Sequence, residues 1–481
     1  MRARSRASAM NAPVRQRGWG LLVLPGLVLL WLGLVVVPVW LQAARLCFAS
    51  YDLGIYTQAL ARLSFHDPNP WLSVRQVHVF ADHFDPVLWL ARPWVAVLPA
   101  KWAGLVAEGG FVLLSLAPLV WLQARGLLDR ASTALLGALL LFNPGTTAAL
   151  TFPIHPTTWA VLSWAWLAVA YGLKRTGWML GALVLLFACK EEFPFVGLVL
   201  AGGLWLRGER RAALAVFALS AAWLAFVFLG RAGWLGQTVD YRSRLLPEPG
   251  QGWGAYLRER LAGKQLSRIG TLLVAFVPLS LWAWRRKWRP DPLWLALLLP
   301  MLAIRFTGMA WRFQYGAPLM AAVVMVFLPL LRQHRPPAWV LVTTGLLLYT
   351  TNDNTARAAW RTVFTPEVFP AHCPATGPRL ASVQHALEVL DANPGGRVLL
   401  EGNLVAEVGA RDDVFAVGGP QSDDLVYDQV LVEKPPLGSS WPLSPGRMEA
   451  LIKIWRSGPD TQVLIDDAHV FLARGRFTAS R

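Results

Sequence analysis

Eleven apolar runs of roughly helical length, separated by short polar turns, constrain this chain more than any other feature. They lie near residues 20–41, 104–123, 132–150, 157–173, 177–189, 193–206, 212–230, 267–284, 292–304, 316–331 and 338–350. Runs of this kind cross ~30 Å of hydrocarbon as helices, because in lipid a helix satisfies all its own backbone groups. Composition agrees, with 55% of the 481 residues hydrophobic and only 15% charged. Many of the 25 tryptophans stand near the ends of the runs, where an indole places its ring in lipid and its N–H among headgroups. The chain therefore reads as mainly α, a polytopic transmembrane helix bundle of about eleven spans over residues 1–351.

The charge pattern orients the bundle. Arg2, Arg4, Arg6, Arg15 and Arg17 precede the first run, and Arg125, Arg130, Lys174, Arg175, Arg207, Arg210, Arg211, Arg285, Arg286, Lys287, Arg289, Arg332 and Arg335 fall in alternate connections. Positive residues stay on the cytoplasmic side, so the N-terminus is expected inside and, with an odd number of crossings, the C-terminus outside. Residues 231–268 run against the pattern, holding seven Lys or Arg on the outer side, but long loops weigh little in orientation. No small-residue cleavage site follows the first run, which is expected to remain as an anchor. Net charge is +16, spread over short loops instead of one stripe, so no nucleic-acid partner is implied. Three cysteines make no metal pattern; Cys47 and Cys373 would both lie outside.

From residue 352 the pattern changes to that of a small α/β domain, 352–481, expected outside the cytoplasm. RLASVQHALEVLDAN and LSPGRMEALIKIWRSG read as helices, and Val398–Leu400, Val414–Val417, Leu425–Val432 and Val463–Ile465 as short buried strands. The first external loop, 42–103, holds FHDPNPW and DHFDPVLWLARPWVAVLP. Pro86, Pro93, Pro99 and Arg92 make the second stretch a set of helices lying in the interface, not a crossing.

Ionisable residues gather at the external ends of the spans, where insertion costs ~2.5–3.5 kcal/mol per group at membrane depth unless water or a partner meets it. Asp52, in YDLGIYTQAL, reads either as a general base or as the cap of the helix that follows it. Tyr56 and Gln58 share that helix and are candidate substrate contacts. Asp82, His83 and Asp85, with His155 in FPIHP, offer mixed N and O ligands that would suit a divalent metal ion, or else capping and solvated groups. Lys190, Glu191 and Glu192 interrupt two apolar runs, as the apex of a re-entrant pair or as buried charge in one kinked span; both place them in a protein-lined cavity. In RFTGMAWRFQYG, Arg305 and Arg312 bring planar donor forks suited to phosphate, and Tyr315 adds a hydroxyl. Ordinary headgroup contact explains the same arginines.

SYDLGIYTQAL, DHFDPVLWLARP, FPIHP, CKEEFPF and RFQYGAP, followed by LLEGNLVAEVGARDDVFAV, together resemble a bacterial multi-pass membrane family known as domain of unknown function two-thousand-seventy-nine. That family is in turn similar to GT-C glycosyltransferases, membrane enzymes that use polyprenyl-phosphate sugars. The resemblance implies an acidic catalytic residue in the first external loop, which Asp52 matches, and a later HxxP-like element, matched by His83 and Pro86. The pair of acidic residues common in the GT-C loop is absent, since Leu53 follows Asp52. On this reading the partners are membrane lipids and a polyprenyl-phosphate-linked sugar. The rivals are a transporter or lipid flippase, which would favour charges at the bilayer midplane and an inverted repeat, and a non-enzymatic scaffold.

Overall fold

Each of the eleven apolar runs coincides with helix in the computed structural model, which describes residues 22–46, 48, 51–235, 247, 250–261, 264–308, 313–351, 377–419, 425–435 and 443–479. The breaks fall where the sequence supplies punctuation. Asp129 caps the Arg130–Phe142 helix by accepting from the amides of Ala131 and Ser132, and Asn143 caps Pro144–Leu150 by accepting from Thr146. Proline at the first helical position opens Pro144–Leu150, Pro156–Gly172 and Pro194–Leu206, where a missing N–H costs nothing.

Among the described residues, four helices are long and apolar enough to cross a membrane: Val23–Ala44, Ala100–Ala124, Arg210–Leu235 and Gly316–Gln333. The pair Arg130–Phe142 and Pro144–Leu150, bent by 46°, makes a fifth if it counts as one span. Thr176–Phe187, Pro194–Leu206, Ile269–Arg285, Pro292–Arg305 and Ala338–Thr351 are shorter, so helix length among the described residues supports four or five crossings, not the full eleven. Burial ranks them: 78% of the apolar window of Gly316–Gln333 is inside the protein, against 22% for Val23–Ala44 and Arg210–Leu235, so the first is the bundle's central post and the other two face outward.

In the first loop, helix Tyr51–Arg62 is followed by a small hairpin of β1 (Trp71–Leu72) and β2 (Val77–His78). The proline-broken stretch forms two short 3₁₀ helices, Pro86–Leu90 and Arg92–Ala96, and no long helix, because Pro93 and Pro99 lack the amide donors that a continuing helix would use. Leu90, Trp94 and Val97 are exposed there, which suits an interfacial position.

The C-terminal region adds β3 (Val398–Leu400), β4 (Val414–Ala416), β5 (Tyr427–Glu433), β6 (Gln462–Asp466) and β7 (Val470–Phe477) in the order β4-β3-β5-β7-β6. β3 runs parallel to β4 and β5, and β7 antiparallel to β5 and β6. The helices Pro378–Ala392 and Pro445–Arg456 stand where the sequence puts them, the latter capped by Ser444. Met448, Leu451 and Trp455 of the second helix pack with Phe471 and Phe477 on one sheet face. Val398, Leu400, Leu431 and Leu472 on the other face, with Val405 beyond β3, belong to the same hydrophobic core as the membrane helices.

This shared core joins the tail to the first loop. Lys101 Nζ meets both oxygens of Glu407 at 2.6 and 2.7 Å, Gln58 Nε2 donates to the Arg411 carbonyl at 2.9 Å, and Ser73 Oγ donates to the Val414 carbonyl at 2.6 Å. Gly54 is required at the seam: a Cβ there would stand 2.6 Å from Val405 Cγ1. Gly54→Ala is expected to destabilise the protein by about 1–3 kcal/mol through overpacking, with Val405→Ala recovering part of the loss. Thermal unfolding of the single and double variants checks both effects.

Candidate functional site

Helix Tyr51–Arg62 begins one residue before Asp52, which therefore sits in the first turn and not at the cap position. Its Oδ2 lies 3.2 Å from His155 Nε2. His155 precedes helix Pro156–Gly172, its Nδ1 is 2.9 Å from the Phe152 carbonyl, and its backbone N–H donates to Glu108 Oε1 at 3.1 Å. A carbonyl only accepts, so Nδ1 carries a proton. Asp52 keeps 39% of its side chain exposed while His155 keeps 4%, so the carboxylate is the member that an incoming molecule meets. Burial alone raises the Asp52 pKa, but the His155 hydrogen bond and the positive groups of His155, His83 and Arg75 outweigh it and hold it below its ordinary value.

Tyr56 stands one helical turn further on. Its ring meets that of His155 edge-on at 5.5 Å, and its hydroxyl donates to Asp85 Oδ2 at 3.0 Å. Asp85 is 1% exposed, and burial pushes its pKa up to about 7 against the opposing charges of His83 and Lys190. Its unfolded counterpart ionises near ~4, so between about pH 4 and 7 the folded protein binds more protons and stability falls as pH rises. Asp85→Asn is expected to flatten this fall and to raise stability above pH 7 by at least about 1 kcal/mol, read from unfolding midpoints across the range.

His83 bridges to the second half of the site. It lies within electrostatic reach of Asp52, and its Nδ1 is 2.9 Å from Lys190 Nζ and 3.2 Å from Glu191 Oε1. Lys190 to Phe193 form the turn between the separate helices Thr176–Phe187 and Pro194–Leu206, so the Lys-Glu-Glu triplet is an apex and not an interruption in one helix. Glu192 pairs with Arg305, which is 1% exposed and lies over the Tyr315 ring at 4.6 Å. Asp52, His155, Tyr56, Asp85, His83, Lys190, Glu191, Glu192, Arg305 and Tyr315 thus form one connected network. Arg312, Cys47 and Cys373 lie outside the described residues.

Two expectations need correction. The four candidate metal ligands are not brought together: Asp82 is engaged by Arg75 through both oxygens at 2.8 and 3.1 Å, Asp85 by Tyr56, His83 by the Lys190–Glu191 turn and His155 by Asp52. Among the described residues no three His, Cys, Asp or Glu side chains form a group that would hold a metal ion. Gln58 is not open to substrate: it is fully buried, and its amide is consumed by Ser73, Arg411 and the Val74 N–H. It is a strut between loop and tail.

Glu108 was not anticipated. A single carboxylate inside an otherwise apolar span is itself a signal, and here it fixes the backbone of His155. Lys101, in the same helix, carried the same signal and holds the tail through Glu407.

No curated protein matches the chain. Across residues 42–424 it matches a family model described as a predicted membrane protein, a stretch holding the Asp52 helix, the His155 turn, the Lys190 apex and β3 with β4; the chain belongs to this family, DUF2079.

Proposed function

We propose that this protein is an inverting glycosyltransferase that moves a sugar from a polyprenyl-phosphate donor to an acceptor hydroxyl on the external face of a bacterial inner membrane. The observation that carries the proposal is the half-exposed Asp52 carboxylate, held by His155 and linked through His83 to Lys190. Asp52 Oδ1, which accepts no hydrogen bond from a described residue, takes the proton of the acceptor hydroxyl. As the acceptor oxygen bonds to the anomeric carbon, the bond from that carbon to the phosphate oxygen breaks, and its electron pair leaves with the lipid phosphate. In this reading Lys190 stabilises that negative charge, and Arg305, steadied by Glu192 and Tyr315, supplies a second cation.

The proposal includes eleven crossings with the N-terminus inside and the tail outside, which places Asp52 and the tail in one compartment. The test is incubation of the purified protein with labelled polyprenyl-phosphate sugars and an acceptor extract. Transfer of label with inversion at the anomeric carbon supports the proposal; no transfer from any donor sinks it in favour of a transporter or scaffold.

A further inference from the structure

A second polar cluster caps the same helices at their other ends. Pro156–Gly172 starts after His155 and carries Tyr171 in its last turn, Pro194–Leu206 runs from beside Glu192 to Arg207, the apolar segment Pro292–Arg305 begins after Asp291 and reaches Arg305 in the last turn of its helix, and Gly316–Gln333 runs from Tyr315 to Arg332. At a rise of 1.5 Å per residue, the ends of a 17-residue helix are about 25 Å apart. The two clusters therefore lie on opposite sides of the bundle.

Between the far ends opens a cavity of about 380 Å³, a size that takes a ligand or a lipid headgroup. Its acids are already matched. Asp291 receives the Tyr171 hydroxyl at 2.7 Å and the forked guanidinium of Arg207, and Glu209 pairs with Lys174 at 3.0 Å. Arg332 is left over: it lines the cavity half-buried, with no carboxylate partner among the described residues. A guanidinium at a chain end normally turns out to water. This one lies against the neighbouring helix, its Nη1 3.5 Å from where a Cβ on Gly172 would stand. Ala168, Trp294, Met325 and Val326 make the rest of the wall apolar.

We propose that this cavity binds the phosphate of an anionic phospholipid, with the Arg332 fork on the phosphate oxygens and the glycerol and upper acyl chain against the apolar wall. The guanidinium geometry matches phosphate, a surplus of one positive charge remains after the acids are counted, and basic pockets between helix ends are where headgroups sit. Free inorganic phosphate shares the recognition chemistry but has no use for the apolar wall. The site is independent of the sugar-transfer proposal and stands or falls separately.

The test is native mass spectrometry of the purified full chain, delipidated and titrated with phosphatidylglycerol, phosphatidylcholine or inorganic phosphate. Preferential retention of phosphatidylglycerol is expected, weakened at least about tenfold in Arg332→Gln and less in Arg332→Lys. Gly172→Leu, which fills the space beside the guanidinium without changing charge, is expected to weaken it too. Unfolding midpoints measured without lipid separate lost binding from lost fold, and Gly172→Leu serves if Arg332→Gln does not fold. Equal phosphatidylglycerol retention by parent and folded variants overturns the site. Arg332-dependent binding of inorganic phosphate with none of lipid overturns the lipid source.

Discussion

Asp52→Asn is expected to lower the proposed sugar transfer by about 10²–10⁴-fold, the range for removing a positioned general base, with little change in the unfolding midpoint. The amide keeps the size of the carboxylate and still offers an oxygen to His155 Nε2, so the local packing survives while the proton acceptor is lost. The pH profile supplies a second readout. Because the Asp52 pKa lies below its ordinary value, the carboxylate is ionised throughout the neutral range, and transfer by the parent is expected to hold from pH 7 to about pH 5 and to fall only in stronger acid. Transfer rates for parent and variant across that range decide the matter; equal rates remove Asp52 from the base role. His155→Gln, which keeps a donor near Oδ2 but not the imidazole ring that holds the carboxylate, is expected to fall between the two.

Arg379→Ala is expected to have the largest effect on stability, about 3–5 kcal/mol, because it strands buried carboxylates without their counter-charge. Arg379 is 2% exposed and donates to both oxygens of Glu433, at 2.8 and 2.6 Å. The same guanidinium reaches the carbonyls of Arg45 and Leu46 at the end of the first membrane helix, at 3.4 and 3.2 Å. Glu401, 1% exposed, accepts the Glu433 amide, and its pKa is already raised by burial and by the neighbouring Glu433. Without the arginine both carboxyls prefer their protonated forms more strongly. A folded-state pKa raised above the unfolded value gives stability that is present at low pH and lost as pH rises, so the penalty is expected to be larger at pH 8 than at pH 5. Unfolding midpoints at the two pH values, with hydrogen exchange of the β5 amides to localise the loss, check the prediction.

The parts of the fold legible from sequence were those governed by local periodicity. The apolar runs became helices, and the triplet Val398–Leu400 became β3 at its expected ends. β7 was missed because VFLARGRF has no clean alternation: Arg474 and Arg476 interrupt it, and the strand's identity comes from pairing with β5 and β6 on either side. The site was legible as a set of residue types but not as a set of partners. Nothing local in FPIHP points to Asp52, 103 residues earlier in the chain, and nothing in DHFDP says that Asp82 belongs to Arg75 while His83 belongs to the turn at Lys190. Gln58 misled for the same reason: its neighbours across space, Ser73 and Arg411, decide that it is a strut. Glu108 was within reach of the rule already applied to the other intramembrane charges.

The seam between Gly54, Gln58, Ser73 and Lys101 on one side and Val405, Glu407, Arg411 and Val414 on the other has a consequence for how such proteins can be recombined. A chimera that grafts a relative's tail onto this bundle would meet a mismatched floor unless the opening loop travelled with it. The natural cassette for exchange is therefore loop plus tail, two stretches separated by about two hundred and fifty residues that must be swapped as one.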